Sequence, residues 1–479
     1  MNTSTRSKPA IYWLRKDLRI ADNRALSAAS ENGRAVVPVY IREDDGNGPL
    51  GGAQEWWLEQ SLKQLMARFE KLGSRIILKS GDPLQILKTI AEETGAEAVF
   101  WNRRYDPKGI ETDKKVKAAL RDEGFKVESF AGQILHEPSH FKTKTGGPYK
   151  VYTPFWKAFS AEAHVPAPLD PPEKLNSPSR QPESETLEDF RLYTGKPDWA
   201  AGFRELWTPG ENGAQERLQH FIDEIANRYA GERDHPSVDA TSLMSPFLAL
   251  GEISPATIWH AVSEAKNIDD TNRKKFLQEL VWRDFSYHLL FHAPDLATKN
   301  WNGRFDDFEW STDEDAYRAW TKGQTGYPIV DAGMRQLWRD GWMHNRVRMI
   351  AASFLIKDLM IDWRRGEEWF RDTLVDADPA SNAASWQWVA GCGADAAPFF
   401  RIFNPMLQGS KFDPDGDYVR RYIPELARLP AKHIHAPFEA PHAVLKEAGV
   451  ELGKTYPRPL VDHKQARNRA LQAFEAIKG

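Results

Sequence analysis

IYWLR (residues 11–15) is the first of five short apolar runs that alternate with amphipathic stretches over the first 132 residues. The other four are AVVPVYI (35–41), RIILKSG (75–81), AEAVFWN (96–102) and FKVESF (125–130). Alternation of strands and helices predicts a parallel sheet with right-handed crossovers, so residues 8–135 are predicted to form a doubly wound α/β domain. Such sheets bind ligands beyond the carboxyl ends of their strands, but no G-x-G-x-x-G motif follows the first run to indicate a dinucleotide.

The rest of the chain divides into two parts. Six prolines fall between residues 165 and 184 without any apolar periodicity, so residues 136–199 are predicted to be a linker that runs in extended form. From residue 200 to residue 475 the apolar periodicity is helical, which predicts an all-α domain. Pro328 is expected to begin one of its helices, and Gly341 and Gly366 are expected to end two of them.

Composition narrows the function classes. The 479 residues include 64 Lys and Arg against 68 Asp and Glu, a net charge of −4, so a polyanionic partner must bind at a local patch. No apolar run reaches the ~18 residues that a membrane helix needs, and the first ten residues lack the apolar segment of a secretory signal. A single cysteine, Cys392, excludes an internal disulfide and cysteine-based zinc or iron–sulfur sites. A cytoplasmic protein is expected.

The stretch TGYPIVDAGMRQLWRDGWMHNRVRM (325–349) predicts two helices joined by a short turn. In the second helix Asn345 and Met349 lie one turn apart on one face, whereas Arg346 and Arg348 point elsewhere. An amide beside a thioether suits a planar, partly polar ligand. An ordinary pair of capped helices explains the same pattern.

The stretch DADPASNAASWQWVAGCGADAAPFFRIFNP (376–405) sets two acids, an amide and two indoles among small residues: Asp376, Asp378, Asn382, Trp386 and Trp388. Small residues let the backbone approach a large ring closely. The acids can serve in acid–base chemistry, as metal ligands, or as partners of a ring N–H or an arginine. Because no histidine or cysteine ligands accompany them, no metal is expected, and pairing with Arg348 is favoured.

Together with WLRKDLRIADNRAL (13–26), these two motifs resemble the photolyase/cryptochrome family, and the match covers nearly the whole chain. The resemblance implies that residues 8–135 form an antenna-binding domain and that residues 200–475 hold FAD. It implies repair of cyclobutane pyrimidine dimers in UV-damaged DNA, driven by light and by an electron from reduced, anionic FAD. A monomer similar to bacterial class I or class III enzymes is expected.

The family's motifs assign roles to residues of this chain. The resemblance implies that the FAD phosphates contact Tyr229, Thr241, Ser242 and Ser245, that Arg348, Asp376 and Asp378 surround the isoalloxazine, and that Asn382 faces its N5 atom. The lesion pocket matches Glu279, Trp282, Asn345, Met349 and Trp388, with Arg233, Arg346 and Arg401 near the DNA backbone. An electron-transfer chain matches Trp386, Trp363 and Trp310, from the flavin outward. From its position alone, the TSLMSP run (241–246) is equally consistent with simple capping of a helix.

Two sister functions remain as alternatives. Photolyases that act on (6-4) photoproducts typically carry a histidine where this chain has Asn345. Plant-type cryptochromes, which are blue-light receptors, tend to carry an aspartate where Asn382 stands, and many have a long C-terminal tail. This sequence shows neither sign.

Family members also bind a light-harvesting chromophore, which is methenyltetrahydrofolate, a deazaflavin or a flavin. A pterin edge needs a carboxylate, and Glu43 and Asp106 follow the second and fourth predicted strands. We therefore expect 5,10-methenyltetrahydrofolate, although both acids can equally be solvated loop residues. A lysine that folate-binding members use aligns only ambiguously, near Lys299.

Overall fold

The computed structural model describes residues 8–43, 50–396 and 400–478. Its single sheet has five parallel strands: β1 Ala10–Leu14, β2 Val36–Arg42, β3 Ile77–Ser80, β4 Ala98–Asn102 and β5 Lys126–Phe130. The helices that alternate with them are α1 Arg24–Ser30, α2 Gly52–Lys71, α3 Pro83–Thr94 and α4 Pro107–Asp122. The strand order β3-β2-β1-β4-β5 confirms the doubly wound sheet predicted from the sequence.

Strand β1 is buried on both faces because its alternate side chains enter two different cores. Ile11 and Trp13 pack with buried residues of α3 and α4. Tyr12 and Leu14 belong to a larger cluster that continues into the helical half of the chain. The sheet and the helical half therefore share a core on one face of the sheet.

Part of the predicted linker is helical. Residues Tyr152–Glu162 form helix α5, whose Phe155 and Phe159 are buried in the core that the sheet shares with the helical half. The proline-rich part that follows contains neither helix nor strand, apart from a bridge between Asn176 and Ala35 beside β2. The prediction missed α5 because its aromatic periodicity is short and lies next to the prolines.

From residue 200 onward the described chain is helical, as predicted. Its helices are α6 Ala201–Leu206, α7 Glu211–His220, α8 Tyr229–Glu232, α9 Ser245–Ala249, α10 Pro255–Glu264, α11 Asp270–His292, α12 Glu314–Thr321, α13 Pro328–Asp340, α14 Asn345–Ser353, α15 Trp363–Thr373, α16 Pro379–Ala390, α17 Pro405–Phe412, α18 Asp417–Tyr422, α19 Ala431–Ile434, α20 His442–Ala448 and α21 His463–Ala476. Among the described residues, no helix combines the length and apolarity needed to cross a bilayer.

Two glycines were predicted to end helices, and the structure confirms one of these predictions. Gly341 ends α13 with a φ of 64°, as expected for a left-handed C-terminal residue. The prediction that Gly366 ends a helix is wrong, because Gly366 lies inside α15. A Cβ atom there would lie 2.2 Å from the indole of Trp386, so glycine is required by packing and not by backbone conformation.

The carboxyl end of β1 is closed by the helical half. The guanidinium of Arg19 donates hydrogen bonds to the carbonyl oxygens of Gly251 and Gly132, each at 2.9 Å. Gly251 has a φ of 73°, and a Cβ atom there would lie 2.1 Å from the carbonyl oxygen of Lys16. This close approach fixes the loop after β1 against the turn before α10.

Beside this contact, Glu252 is fully buried. Its Oε1 atom accepts hydrogen bonds from the indole of Trp57 at 2.9 Å and from the backbone N–H of Gly210 at 2.8 Å. Burial raises the pKa of Glu252 to about 8, which outweighs the lowering by hydrogen bonds that include those of Ser61 and Trp57. The folded protein therefore keeps this carboxyl protonated at neutral pH.

We predict that Glu252→Gln becomes more stable relative to the wild type as the pH rises from 5 to 8. The unfolded chain ionises Glu252 near its ordinary pKa of 4.5, whereas the folded chain holds the proton up to about 8. Wild-type stability therefore falls across this window, by up to about 1.4 kcal/mol per pH unit, and a glutamine removes that slope.

The difference in thermal unfolding midpoint between variant and wild type, measured at several pH values, tests this prediction. Glu205→Gln, on the exposed end of α6, serves as the control and should show no pH-dependent difference. A constant difference for Glu252→Gln across the window would show that the buried carboxyl is ionised.

Candidate functional site

Four helices bring the predicted site residues together. Helix α16 packs against α11, α14 and α15. Helix α11 carries Glu279 and Trp282; α14 carries Asn345, Arg346, Arg348 and Met349; α15 carries Trp363; and α16 carries Asn382, Trp386 and Trp388. Residues that are far apart in the sequence therefore surround the packed faces of α16.

An arginine–carboxylate pair lies at the centre of the site. One guanidinium nitrogen of Arg348 lies 2.8 and 3.1 Å from the two carboxylate oxygens of Asp376. The Nε–H of Arg348 donates to the carbonyl oxygen of Met343 at 2.7 Å, which fixes the plane of the guanidinium. The hydroxyl of Ser245 also donates to Asp376, at 2.6 Å. The predicted pairing of Arg348 with Asp376 is thus present, and Ser245 joins it.

Asp378 has a different environment from Asp376. Its Oδ1 atom accepts hydrogen bonds from the backbone N–H groups of Ala380 and Ser381, and so caps the start of α16. Its Oδ2 atom accepts a hydrogen bond from the hydroxyl of Tyr287 on α11 at 2.8 Å. In this structure Asp378 orients the helix that carries Asn382 and the two indoles.

Asn382 is oriented by a residue that the sequence analysis did not identify. Its Nδ2 group donates to the Oε1 atom of Glu367 at 2.8 Å and to the carbonyl oxygen of Glu367 at 3.1 Å. Burial raises the pKa of Glu367. The Oδ1 atom of Asn382 accepts no hydrogen bond from the described residues, so it is available to accept one from a ligand N–H.

The hydroxyl-bearing run at residues 241–245 is held by an arginine from α7. The Nε atom of Arg217 donates to the carbonyl oxygen of Ser242 at 2.8 Å, and its Nη2 atom donates to that of Thr241 at 2.7 Å. Leu243 has a φ of 53°, an unusual conformation for a leucine. Arg217 binds the carbonyl groups of Thr241 and Ser242. Their half-buried side-chain hydroxyls can therefore donate hydrogen bonds to an anionic ligand.

Glu279 lies in a cluster of charges. It forms ion pairs with Arg233 and, at 2.9 Å, with Lys275 one turn earlier on α11. The guanidinium of Arg233 lies 5.2 Å from the ring centre of Tyr229. The structure thus brings Tyr229, Arg233 and Glu279 together, although the resemblance assigned them three different roles.

The two predicted aromatic walls, Trp282 and Trp388, are both partly buried. Trp282 packs against the core shared with the sheet, whereas Trp388 packs against the second core of the helical half. Met349 is half-buried, and Asn345 is exposed at the start of α14. Polar and apolar side chains of this kind suit a planar ligand that enters from solvent.

The three arginines predicted to contact DNA differ in their availability. Arg346 forms an ion pair with Asp234 at 2.8 Å and lies over the ring of Phe412. Arg233 is already paired with Glu279. Arg401 is exposed and forms no ion pair with the described residues.

The three tryptophans of the predicted electron-transfer chain differ in burial. Trp386 and Trp363 are 2% and 0% exposed, whereas Trp310 is half-buried. Trp386 lies against Gly366 on the helix that begins with Trp363. Trp320, which the sequence analysis did not single out, lies 6.3 Å from Trp386 between ring centres. Trp386 and Trp363 are thus both in the interior, and of the three only Trp310 reaches solvent.

The two acids predicted to bind a pterin both contact Arg104, at 3.2 Å from Glu43 and 2.9 Å from Asp106. Asp106 also caps α4 through the N–H of Gly109. Burial would raise the pKa of Asp106, but the charge and hydrogen bonds of Arg104 outweigh it and lower the pKa to about 2. Lys299 is exposed and pairs with Asp295. Asp106 therefore has a structural role that the sequence did not predict.

Comparison with known proteins shows which family the chain resembles. Residues 10–173 match the family described as DNA photolyase, and residues 276–476 match the FAD binding domain of DNA photolyase. The deoxyribodipyrimidine photo-lyase of Agrobacterium fabrum (strain C58) is 61% identical over 476 residues, which span 99% of both chains. Cryptochrome-1 of Arabidopsis thaliana is 36% identical over 98% of this chain and 70% of its own length.

A crystal structure of a bacterial class III photolyase from Agrobacterium tumefaciens matches 100% of this chain and 99% of its own, with a TM-score of 0.97 and 60% sequence identity. The resemblance seen in the sequence motifs thus extends over the full chain and over the whole fold. This chain belongs to the photolyase/cryptochrome family.

Proposed function

We propose that this protein repairs cyclobutane pyrimidine dimers in DNA by a light-driven electron transfer from reduced FAD. The observation that carries the proposal is that the packed helices α11, α14 and α16 carry a fixed cation, an available amide acceptor, two half-buried indoles and an acid. The relatives' names support the same activity. DNA as the substrate implies a cytoplasmic enzyme, and we propose that it acts as a monomer.

The residues present fit a reduced flavin. When bound, reduced FAD supplies the electron that opens the cyclobutane ring after excitation by light. Arg348, held in place by Asp376 and Met343, places a fixed positive charge that favours the anionic ring. The Oδ1 atom of Asn382 would accept a hydrogen bond from the N5–H group of a reduced flavin, because Glu367 keeps the amide nitrogen turned away. Tyr229, Thr241, Ser242 and Ser245 would hold the phosphates.

On the lesion side, the carboxylate of Glu279 would accept a hydrogen bond from an N–H group of the pyrimidine edge and so orient the lesion. Trp282 and Trp388 would form the flat walls of the pocket, with Asn345 and Met349 completing it. Extrusion of the damaged nucleotides from the duplex is an established property of photolyases in general. Arg401 would contact phosphate directly, whereas Arg233 and Arg346 would first have to exchange a carboxylate partner.

The direct test uses pure, flavin-loaded protein that has been reduced chemically. Under blue or near-UV light it should convert thymine dimers in an oligonucleotide to thymines, and in the dark it should not. Protein that takes up light and reduces its flavin but leaves dimers intact would support a cryptochrome-type receptor. Repair restricted to (6-4) photoproducts would support that alternative.

We predict that Glu279→Gln lowers the quantum yield of repair by about tenfold, since hydrogen bonds to charged groups contribute roughly 1.5–3 kcal/mol. Affinity for dimer-containing DNA should change much less, because the stacking walls are intact. The quantum yield is measured as dimers repaired per absorbed photon, and the affinity as a dissociation constant. Both are measured on the same oligonucleotide. Lys275→Gln is the matched control, because it also breaks an ion pair of Glu279 but leaves the carboxylate in place. Equal losses of quantum yield and affinity would show that Glu279 only positions the lesion and does not affect the repair step.

We predict that Trp386→Phe nearly abolishes light-driven reduction of the oxidised flavin, because phenylalanine fills the contact with Gly366 but lacks an oxidisable indole. Repair by chemically reduced protein should persist. The rate of light-driven flavin reduction is measured from the flavin absorption spectrum during illumination with an external electron donor.

Trp101→Phe, which changes a fully buried indole of β4, is the control and should be photoreduced normally. Photoreduction of Trp386→Phe at the wild-type rate would require another route, such as one through Trp342 or Trp388.

We further propose that the second chromophore is 5,10-methenyltetrahydrofolate, with Glu43 as the carboxylate that meets the pterin edge. Asp106 was predicted for the same role; both carboxylates contact Arg104, and Asp106 in addition caps the start of α4. A second candidate position is the pair Trp338 and Trp369, whose rings lie 9° from parallel with centres 6.2 Å apart. Trp338 is 58% exposed, so this pair offers a platform for a planar ring.

Absorption spectra of the protein before and after denaturation would identify the chromophore. Glu43→Gln is expected to lose the folate and retain FAD, whereas Glu128→Gln, a half-exposed acid on β5, should retain both. Loss of folate in Trp338→Ala but not in Glu43→Gln would move the site to the indole pair. Deazaflavin or a second flavin in the extract would contradict the folate proposal.

A further inference from the structure

Tyr152, the first residue of α5, lies at the aromatic pocket although it belongs to the segment predicted as a linker. Its ring stacks on the indole of Trp282 with the ring centres 3.6 Å apart and the planes 11° from parallel. Its hydroxyl donates to the carbonyl oxygen of Gln278 on α11 at 2.5 Å. Tyr152 is only 7% exposed, so one face of Trp282 is covered by protein.

The hydroxyl of Tyr152 also lies in a charged environment. Burial raises the pKa of Tyr152, and the carboxylates of Glu279 and Asp284 raise it further. The raised pKa keeps the hydroxyl in the protonated form that donates to Gln278. The ring of Tyr152 is therefore held against Trp282 by two contacts, the ring stack and this hydrogen bond.

The backbone of Tyr152 connects α5 to the other wall of the pocket. Its N–H donates to the Oδ2 atom of Asp395 at 3.2 Å. Helix α5 has no side-chain cap of its own, because Val151 precedes it, so Asp395 supplies the carboxylate that the helix start lacks. Asp395 has a φ of 58° and lies seven residues after Trp388.

The loop between Trp388 and Asp395 is folded tightly onto the last turn of α16. The N–H of Gly393 donates to the carbonyl oxygen of Gln387 at 2.9 Å. A Cβ atom on Gly393 would lie 2.8 Å from the backbone nitrogen of Trp388, which leaves the loop little freedom to move. Asp395 is thus closely coupled to the backbone of Trp388.

We propose that Tyr152 is a positioning residue that sets the plane of Trp282 and its separation from Trp388, and so makes the pocket selective for a stacked pyrimidine pair. The two walls pack against different hydrophobic cores, so their spacing depends on links between the cores. Tyr152 provides such a link, with its ring on one wall and its N–H bound to the loop of the other. With one face of Trp282 covered, only the opposite face is left for the lesion. This inference rests on the proposed function.

The test compares Tyr152→Phe with Tyr152→Leu in full-length, flavin-loaded protein. Phenylalanine keeps the flat ring, whereas leucine fills space without stacking. Tyr152→Leu is expected to weaken binding of dimer-containing DNA by about five- to tenfold, in line with the worth of an aromatic pair, and to leave binding of undamaged DNA unchanged. Tyr152→Phe keeps the stack but loses the hydrogen bond to Gln278, so it should lose less affinity than Tyr152→Leu. Tyr149→Leu, in the adjacent aromatic cluster but not on Trp282, is the control.

A purely structural role would give a different result, with affinity for damaged and undamaged DNA falling together in protein that retains flavin. That result, or unchanged selectivity in Tyr152→Leu, would overturn the proposal. If Tyr152→Leu does not retain flavin, Asp395→Ala decides, because it removes only the link to the Trp388 loop and should still lower dimer selectivity. Wild-type protein that neither binds nor repairs dimers would instead refute the proposed function itself.

Discussion

The geometry of the site depends on one carboxylate, that of Asp378. One of its oxygens caps α16, and the other accepts a hydrogen bond from Tyr287 on α11. Pro379 follows at the first helical position, where a proline needs no hydrogen bond and its fixed φ suits the helix. The start of α16 is thereby fixed relative to α11. A shift of α16 along its axis would move Asn382, Trp386 and Trp388 together.

Small residues determine how closely the neighbours of α16 approach. Gly366 brings the ring of Trp386 against α15, and Ala380 and Ala383 are fully buried in the core shared with the sheet. Because interiors are close-packed, a single added methyl group at Gly366 would displace the indole or the helix. Because Gly366 has no side chain, the sequence analysis predicted a helix end there. In the structure, packing against Trp386 requires that absence.

The fold could be predicted from the sequence because its signals are local. Apolar runs gave the five strands, and Pro328 with Gly341 gave the bounds of α13. The supports of the site could not be predicted in this way, because they are contacts between distant segments: Glu367 with Asn382, Tyr287 with Asp378, and Arg217 with the 241–245 run. Periodicity carries no information on such pairs. Asp106 is an exception, since an acid directly before Pro107 is itself a local signal for a helix cap.

The charges around the pocket are nearly balanced before any ligand binds. Arg348 is paired with Asp376, Arg233 with Glu279, and Arg346 with Asp234. A chain with a net charge of −4 thus avoids a large exposed positive field at this surface. A phosphate that binds Arg346, as proposed above, would compete with Asp234 for the guanidinium, and the neighbouring carboxylate would repel the DNA backbone. The favourable effect of counterion release would then be partly offset, and we expect binding to depend less steeply on salt than the number of arginines indicates. On the proposed function, selectivity for the lesion would therefore depend more on the shape of the pocket, and so on the orientation of Trp282 and Trp388, than on charge.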